Sequence, residues 1–542
     1  MARRPSRREF FSMATAAGLG ALLASALARA QTSSPSYALY PDPATGRLKI
    51  KAPKGVDIVL DQGTYGVSPA VFDVIVRREA NGDYVAYDRT GGIICKNSPT
   101  ACIQEAVNYA SQTKPAPGPN PFRGGFVFIY PGKYYVKSQI TVGPHIHIRG
   151  AGRGATVIKE DPSRRDATPL LYFKDAFHTT ISDLTVIGNV FDVYGNRNNY
   201  VSGADLIYVD RTTDSDPYFG GSDSAGIDLA FLMTRVSLLY GRGHCVTLAP
   251  NAVEVHVSDS YLLGCAGDGF NIRGHDYRIV STVVGNVGNV GFYTTGNGQI
   301  VGSKSYGSGT RNPNTPIHGV FSEIFIDHTG SVAISGVEVG EGAGYCMTVY
   351  YSQNIVAELT CYSPGLNSDY TTGGNEMYAF NIDRSTNIII KASIVDFLRK
   401  FNNLPMKAKA VAIQTDTSTV SQNIVVDLVA DYTKNVADII GTGCTRNVSV
   451  RINNTYSYVN VTTPSMPASG SAVANCYPVP VDVYIWGGAV TSVKVVRNGV
   501  EYTVFSSSSA TSVYLKVRLN NGDQIKISYT SAPSWAWVPA SS

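Results

Sequence analysis

Between Cys245 and Ile382 the chain repeats one short pattern: a small residue, then apolar and polar positions in alternation. Cys245-Val246-Thr247-Leu248, Gly269-Phe270-Asn271-Ile272, Gly291-Phe292-Tyr293-Thr294, Gly319-Val320-Phe321-Ser322 and Ala379-Phe380-Asn381-Ile382 superpose, and Gly344 and Ala410 start further copies. Alternation with period two over so few residues marks a short strand with one buried face. A second strand follows each first one, often after a polar turn with Asn, as at Asn251, Asn354, Asn387 and Asn423. The period of roughly 22–35 residues is that of a solenoid. No copy carries helical periodicity, and none carries the WD signature of a propeller. Coils of two or three short strands, stacked in register, predict a parallel β-helix. Val246, Phe270, Phe292, Val320 and Phe380 then form one inward ladder, and Leu248, Ile272 and Ile382 its neighbour. Thr247, Asn271, Tyr293, Phe321 and Asn381 face outward.

The flanks read differently. Phe72 to Thr90 holds two alternating stretches around Asn81-Gly82, a favoured hairpin dipeptide. Next, Ser98 suits a helix cap, Pro99 suits the first helical turn, and Ile103, Ala106, Val107 and Ala110 share one face. One short helix is expected there. After about Asn454 the repeat stops, and Thr462 to Ser471 reads as a Ser/Pro/Ala linker. Strands are expected at Val481–Trp486, Val490–Val496, Val500–Phe505, Ser512–Leu519 and Gln524–Tyr529, with turns at Asn498-Gly499 and Asn521-Gly522. All three tryptophans, Trp486, Trp535 and Trp537, fall in this last module.

The run from Ala101 through Gly132-Lys133-Tyr134-Tyr135-Val136 to Ile148-Arg149-Gly150-Ala151-Gly152 resembles the opening of right-handed β-helix proteins of the pectate-lyase/polygalacturonase-like superfamily. The resemblance covers Thr90 to Val459 and implies that the helix caps the N-terminal end of the coil. The expected fold is all-β: a right-handed parallel β-helix with a short capping helix and a small C-terminal sandwich-like module. The expected boundaries are a signal at 1–30, an extension with a β-hairpin at 31–90, the β-helix at 91–460, the linker at 461–472 and the module at 473–542.

The first thirty residues resemble a bacterial Tat signal peptide: Arg7-Arg8 followed by Glu9-Phe10-Phe11, a modest apolar stretch, and Ala28-Arg29-Ala30 as a cleavage site. The resemblance implies export to the periplasm, the cell surface or the medium. The segment holds five arginines and one glutamate, so 45 basic and 41 acidic residues fall to 40 and 40 in the remainder. A neutral chain offers nothing to nucleic acid or an anionic membrane, and no later segment is long and apolar enough to span a bilayer. The eight cysteines show no zinc spacing. Cys95–Cys102 and Cys245–Cys265 are the pairs that export would first permit, with buried thiols as the alternative.

Enzymes of the resembled superfamily act in a groove on the outer face of one sheet, where side chains from successive coils stack. Asp268, in Gly267-Asp268-Gly269-Phe270, resembles the acid that starts a catalytic strand in polygalacturonase-like enzymes. Superposing the repeats sets His244 one coil before it and His318 two coils after, an acid/base column. Arg273, His275 and Glu323 complete the candidate catalytic set. Asn271, Tyr293, Phe321, Trp535 and Trp537 are candidates for binding sugar, the aromatic ones by stacking. The paired acids and the Arg-x-Lys of polygalacturonases do not align here. The clustered acids that hold calcium in pectate lyases are not evident beside Asp268, so no cofactor is expected and calcium is left open. The expected function is an exported enzyme cleaving glycosidic bonds of a polysaccharide, hydrolase or lyase. The alternative is a non-catalytic adhesin or spike-like glycan binder, with a homo-oligomer left open for either.

Overall fold

A computed structural model describes residues 72–112, 124–196, 198–211, 231–309, 317–365, 378–395 and most of 409–540, with three strands before them. The chain divides at Val71 into two compact units. In the first, Ala38–Pro41, Leu48–Lys51 and Asp57–Leu60 pair as an antiparallel sheet. The signal segment lies outside the described residues.

The second unit opens with the expected hairpin: Val74–Arg78 pairs antiparallel with Tyr84–Asp88, turning at Gly82 with a left-handed φ of 92°. The helix runs from Ile103 to Gln112 and buries Ile103, Ala106, Val107 and Ala110. Ser98 Oγ accepts the Cys102 amide at 2.9 Å and so supplies an N-terminal partner. The buried face packs on the first coil, where Gly125 approaches Ala110 too closely for any Cβ.

From there the chain winds into a right-handed parallel β-helix. One side is an eleven-stranded parallel sheet of short strands. The others belong to a continuous sheet whose long strands bend from face to face. The inward ladder of the short-strand sheet is Ile140, Leu171, Ile207, Val246, Phe270, Phe292, Ile324, Met347, Phe380, Val411 and Ala437. All are essentially sealed from solvent and belong to one core cluster. Phe270 and Phe292 stack with ring centroids 5.4 Å apart.

Two rungs depart from the expected register: the copy expected from Gly344 puts Met347 in the ladder in place of Tyr345, and the rung before it is displaced further. Ile324 pairs with Phe292 and Phe325 with Tyr293, so the strand is Ser322–Asp327, four residues later than the superposition placed it. Val320 does not enter the main ladder, and Phe321 is buried against Gly309 and Gly344 instead of facing outward. The cause is two consecutive alternating stretches: Val320/Ser322 and Ile324/Ile326 both fit the pattern, and only the second supplies two large aliphatic residues for the core. Gly319, at φ 77°, turns the chain between the preceding loop and this strand.

The asparagine turns form their own ladder. Asn387 donates to Asn354 at 2.9 Å, Asn423 to Asn387 at 2.9 Å and Asn447 to Asn423 at 3.0 Å. All four occupy left-handed backbone, with φ between 51° and 57°. Asn tolerates that conformation better than other residues with a Cβ.

The last coil ends in a short hairpin, Arg446–Ile452 against Thr455-Tyr456. Beyond it, Val481–Arg497 and Val500–Leu519 pair through the Asn498-Gly499 turn. Each is one long strand where two were expected, broken in register between Gly487 and Val490. The half before the break pairs with Ser534–Pro539, the half after it with Gln524–Ser531. The two halves enclose a separate core. Disulfides join Cys95–Cys102, Cys245–Cys265 and Cys346–Cys361, and Cys476 is bonded as well.

Candidate active site

His244 and Asp268 occupy equivalent turns, each two residues before a short strand, Val246–Leu248 and Phe270–Ile272. The turns are drawn together. A Cβ on Gly267 would stand 2.8 Å from His244 Nδ1, so only glycine fits. The Cys245–Cys265 disulfide ties the same two turns.

Asp268 is wholly buried. Its Oδ1 accepts from Asn289 Nδ2 at 2.6 Å and from the Val290 amide at 3.1 Å. Its Oδ2 lies 2.8 Å from His318 Nε2, 3.1 Å from His244 Nδ1 and 3.3 Å from Asn271 Nδ2. Burial alone would raise its pKa. The two imidazoles, with these hydrogen bonds, outweigh burial and hold it well below the usual carboxylate range. Asp268 is therefore ionised with both oxygens already occupied.

The two histidines differ. The Asp268 amide donates to His244 Nδ1 at 2.9 Å, which in the neutral ring places the proton on Nε2, facing the Tyr200 hydroxyl at 2.8 Å. Burial lowers the His244 pKa, and the nearby Asp268 charge overcomes this and raises it. His244 is nearly sealed, and its own amide donates to the buried Asp205 at 2.8 Å. Burial raises Asp205 above the ordinary carboxylate range despite the opposing effect of His244. His318 stands at the edge of the cluster. It stacks flat on Tyr293, centroids 3.6 Å apart, and its Nε2–H donates to Asp268. Its Nδ1 has no hydrogen-bond partner among the described residues. Tyr293 is fixed in turn through its hydroxyl to Asp327 at 2.8 Å.

The structure thus gathers Asp268, His244, His318, Asn271 and Tyr293. Arg273 is exposed beside them, its Nε 3.2 Å from Asn271 Oδ1. The other candidates lie elsewhere. His275 is exposed beyond Arg273, on a bridge to Val253, and makes none of the cluster's contacts. Glu323 points into the fold, accepting from the Ser305 hydroxyl and from Ser308 through its amide (2.9 Å) and hydroxyl (2.7 Å). Burial raises its pKa to about 7. The register shift that buries Phe321 turns Glu323 inward too. Trp535 and Trp537 lie in the module's core, 8% and 3% exposed, where no sugar ring reaches them.

His318 was placed two coils after Asp268 in one column. It reaches Asp268 from the loop preceding the Ser322–Asp327 strand, and the Ile317 amide is pinned to Asn289 Oδ1 at 2.9 Å. Asn289 stands at the position that Gly267 holds one copy earlier, so repeat alignment is the signal that locates it. Tyr200 and Asp205 precede the clear repeats and carried no pattern.

No protein-family profile matches the chain, and no curated protein does. Solved structures do. The full-length tailspike protein 2 of an Escherichia coli O157:H7 bacteriophage shares the fold at 13% identity, covering 94% of this chain and 70% of its own, with a TM-score of 0.51. The enzymatically active domain of a bacteriophage tailspike protein 2 gives a TM-score of 0.50 at 13% identity, over 94% of this chain and 78% of that one. At such identity the likeness establishes architecture: this chain is similar to those tailspikes as an all-β protein built on a parallel β-helix.

Proposed function

We propose that the protein is an exported carbohydrate-active enzyme that cleaves glycosidic bonds, with His318 moving the proton. The observation that carries this is the His318–Asp268 pair. A buried, ionised carboxylate holds one ring nitrogen, and the other has no partner among the described residues. That is how an orienting acid prepares an imidazole for acid/base work. Asp268 is then a positioning residue, and His244 with Tyr200 and Asn271 fixes Asp268 in turn. Hydrolysis by two opposed carboxylates needs both beside the bond. Here Asp205 is buried behind His244 and Asp327 is engaged by the Tyr293 hydroxyl, which favours an imidazole base and thus elimination. Arg273 forms no ion pair with a carboxylate among the described residues and stands ready for a substrate carboxyl group. Twin-arginine export remains part of the proposal and rests on residues 1–30.

A second reading, a spike-like glycan binder without chemistry, has one observation in its favour: Asp268 is sealed and fully hydrogen-bonded, as a purely structural polar plug would be. Screening the purified protein against a polysaccharide panel separates the two. Reducing ends and the absorbance of unsaturated products are followed together. An enzyme releases one or both. A binder retains the polymer uncut, and His318→Ala then changes nothing.

A further inference from the structure

The C-terminal module has a solvent-facing sheet surface that the site above does not use. In the half-sheet before the Gly487 break, Val481, Val483 and Ile485 face the core, so Asp482, Tyr484 and Trp486 lie on the opposite face, where Asp482 is covered by Lys516 and Arg518 while Tyr484 and Trp486 reach solvent. Trp486 pairs across the ladder with Tyr514 on one side and with Ser534 on the other. Trp486 is 41% exposed and Tyr514 81% exposed. Tyr484 pairs in the same way with Lys516 and with Ala536. Two aromatic rings on the central strand, about 7 Å apart, are thus flanked on one edge by Ser534 and Ala536. Those small side chains leave a shelf beside the rings.

The charges at this surface are already committed to each other. Lys516 Nζ lies 2.8 Å and Arg518 Nε 3.0 Å from the two oxygens of Asp482. One carboxylate shared by two cations leaves a net charge of +1, and both cations are held in ion pairs away from Trp486 and Tyr514. What remains is two exposed rings on neighbouring strands, bordered by hydrogen-bonding groups, which suits the apolar face and hydroxyl rim of a sugar. An exposed tryptophan paired with an exposed tyrosine, outside any core, calls for a partner.

We propose that Trp486 and Tyr514 form a second glycan-binding site, at which a polysaccharide chain stacks its rings on the module independently of the Asp268 cluster. The site takes sugar rings by contact rather than by charge.

The protein supplies its own reporter. Trp535 and Trp537 are buried, so Trp486 is the one tryptophan open to solvent among the three. The full chain is titrated with soluble β-glucan, xyloglucan, starch and polygalacturonate, with tryptophan emission and affinity electrophoresis read in parallel. At least one polymer should shift the emission and retard the protein, equally at low and high salt. Trp486→Ala and Tyr514→Ala should each weaken that binding about tenfold or more with melting unchanged. Trp486→Phe should keep the retardation and lose the spectral shift. Asp268→Asn should bind as the parent does, whatever its activity, so failure here is distinct from failure of the enzyme assignment. The proposal is overturned if no polymer binds, if binding is unchanged in the Trp486→Ala Tyr514→Ala double variant, or if binding collapses with salt. It is overturned equally if light scattering shows that these residues mediate self-association.

Discussion

Both oxygens of Asp268 are taken by donors, so in the proposed mechanism its effect passes through His318 and not to the substrate directly. Glu323 shows what a buried carboxyl does in the same region with no imidazole beside it. Burial raises its pKa from 4.5 to about 7, with Glu341 adding to the effect and the Ser305 and Ser308 hydrogen bonds opposing it. A carboxyl whose folded pKa is raised favours the folded state fully below its unfolded pKa, and loses that contribution as pH climbs through the folded value. Between about pH 4.5 and 7 the native state should therefore lose stability through Glu323. Denaturant unfolding across that range should show a shallower pH slope for Glu323→Gln than for the parent, and parallel slopes would refute the assignment. Asp268 and His244 were legible in the sequence because both sit at the same place in consecutive copies. Glu323 and Phe321 differ from expectation because a shift of four residues preserves the alternation while moving both ahead of the ladder position: Glu323 takes the place that Gly291 holds one rung earlier, and Phe321 falls in the turn before the strand.

The strand and its turn were the readable elements. The inward positions Val246, Phe270, Phe292 and Phe380 follow from alternation alone, and the capping helix from one apolar face and one serine. The rung after the 310–316 segment was not readable, because its register depends on which pair of residues fills a core set by the rungs on either side. The ladder makes two demands that can be measured. Phe270→Asp would bury an unpaired charge between Val246 and Phe292, costing several kcal/mol; an unchanged melting temperature would disprove the register. Asn387 both donates to Asn354 and accepts from Asn423, in left-handed backbone. Asn387→Ala should destabilise by about 1–2 kcal/mol in chemical denaturation, and Asn387→Gly by less, since glycine adopts that conformation freely. Equal losses for the two would assign the whole effect to the side-chain bonds.

At the scale of the molecule, stability is spread along a stack in which each coil meets its neighbours. The end of the coil is closed before the linker by the Thr455-Tyr456 hairpin. The linker residues themselves lean on the module: Trp535 Nε1 donates to the Pro464 carbonyl at 2.8 Å, and Val461 and Met466 pack on its core. The Asn447 amide at the last coil donates to Asn521 Oδ1 of the module at 2.8 Å, and Cys476 of the module is disulfide-bonded. A chain ending near Val461 loses the Cys476 disulfide and is still expected to stay folded and monodisperse, with cooperative unfolding, because the coil carries its own core. Aggregation of that truncation would mean that the module seals the last coil.

The central claim is that Asp268 prepares His318 for proton transfer. Asp268→Asn tests it most directly, because the amide preserves shape while removing the charge and changing which nitrogen of His318 carries the proton. Its turnover on whichever polysaccharide the parent degrades should be measured beside that of His318→Ala and the double variant. The account predicts a loss of about 10²-fold or more for each single variant. It also predicts no further loss in the double variant, since the two residues act as one unit. An Asp268→Asn protein that cleaves at the parent rate while His318→Ala is dead, or the reverse, would contradict it.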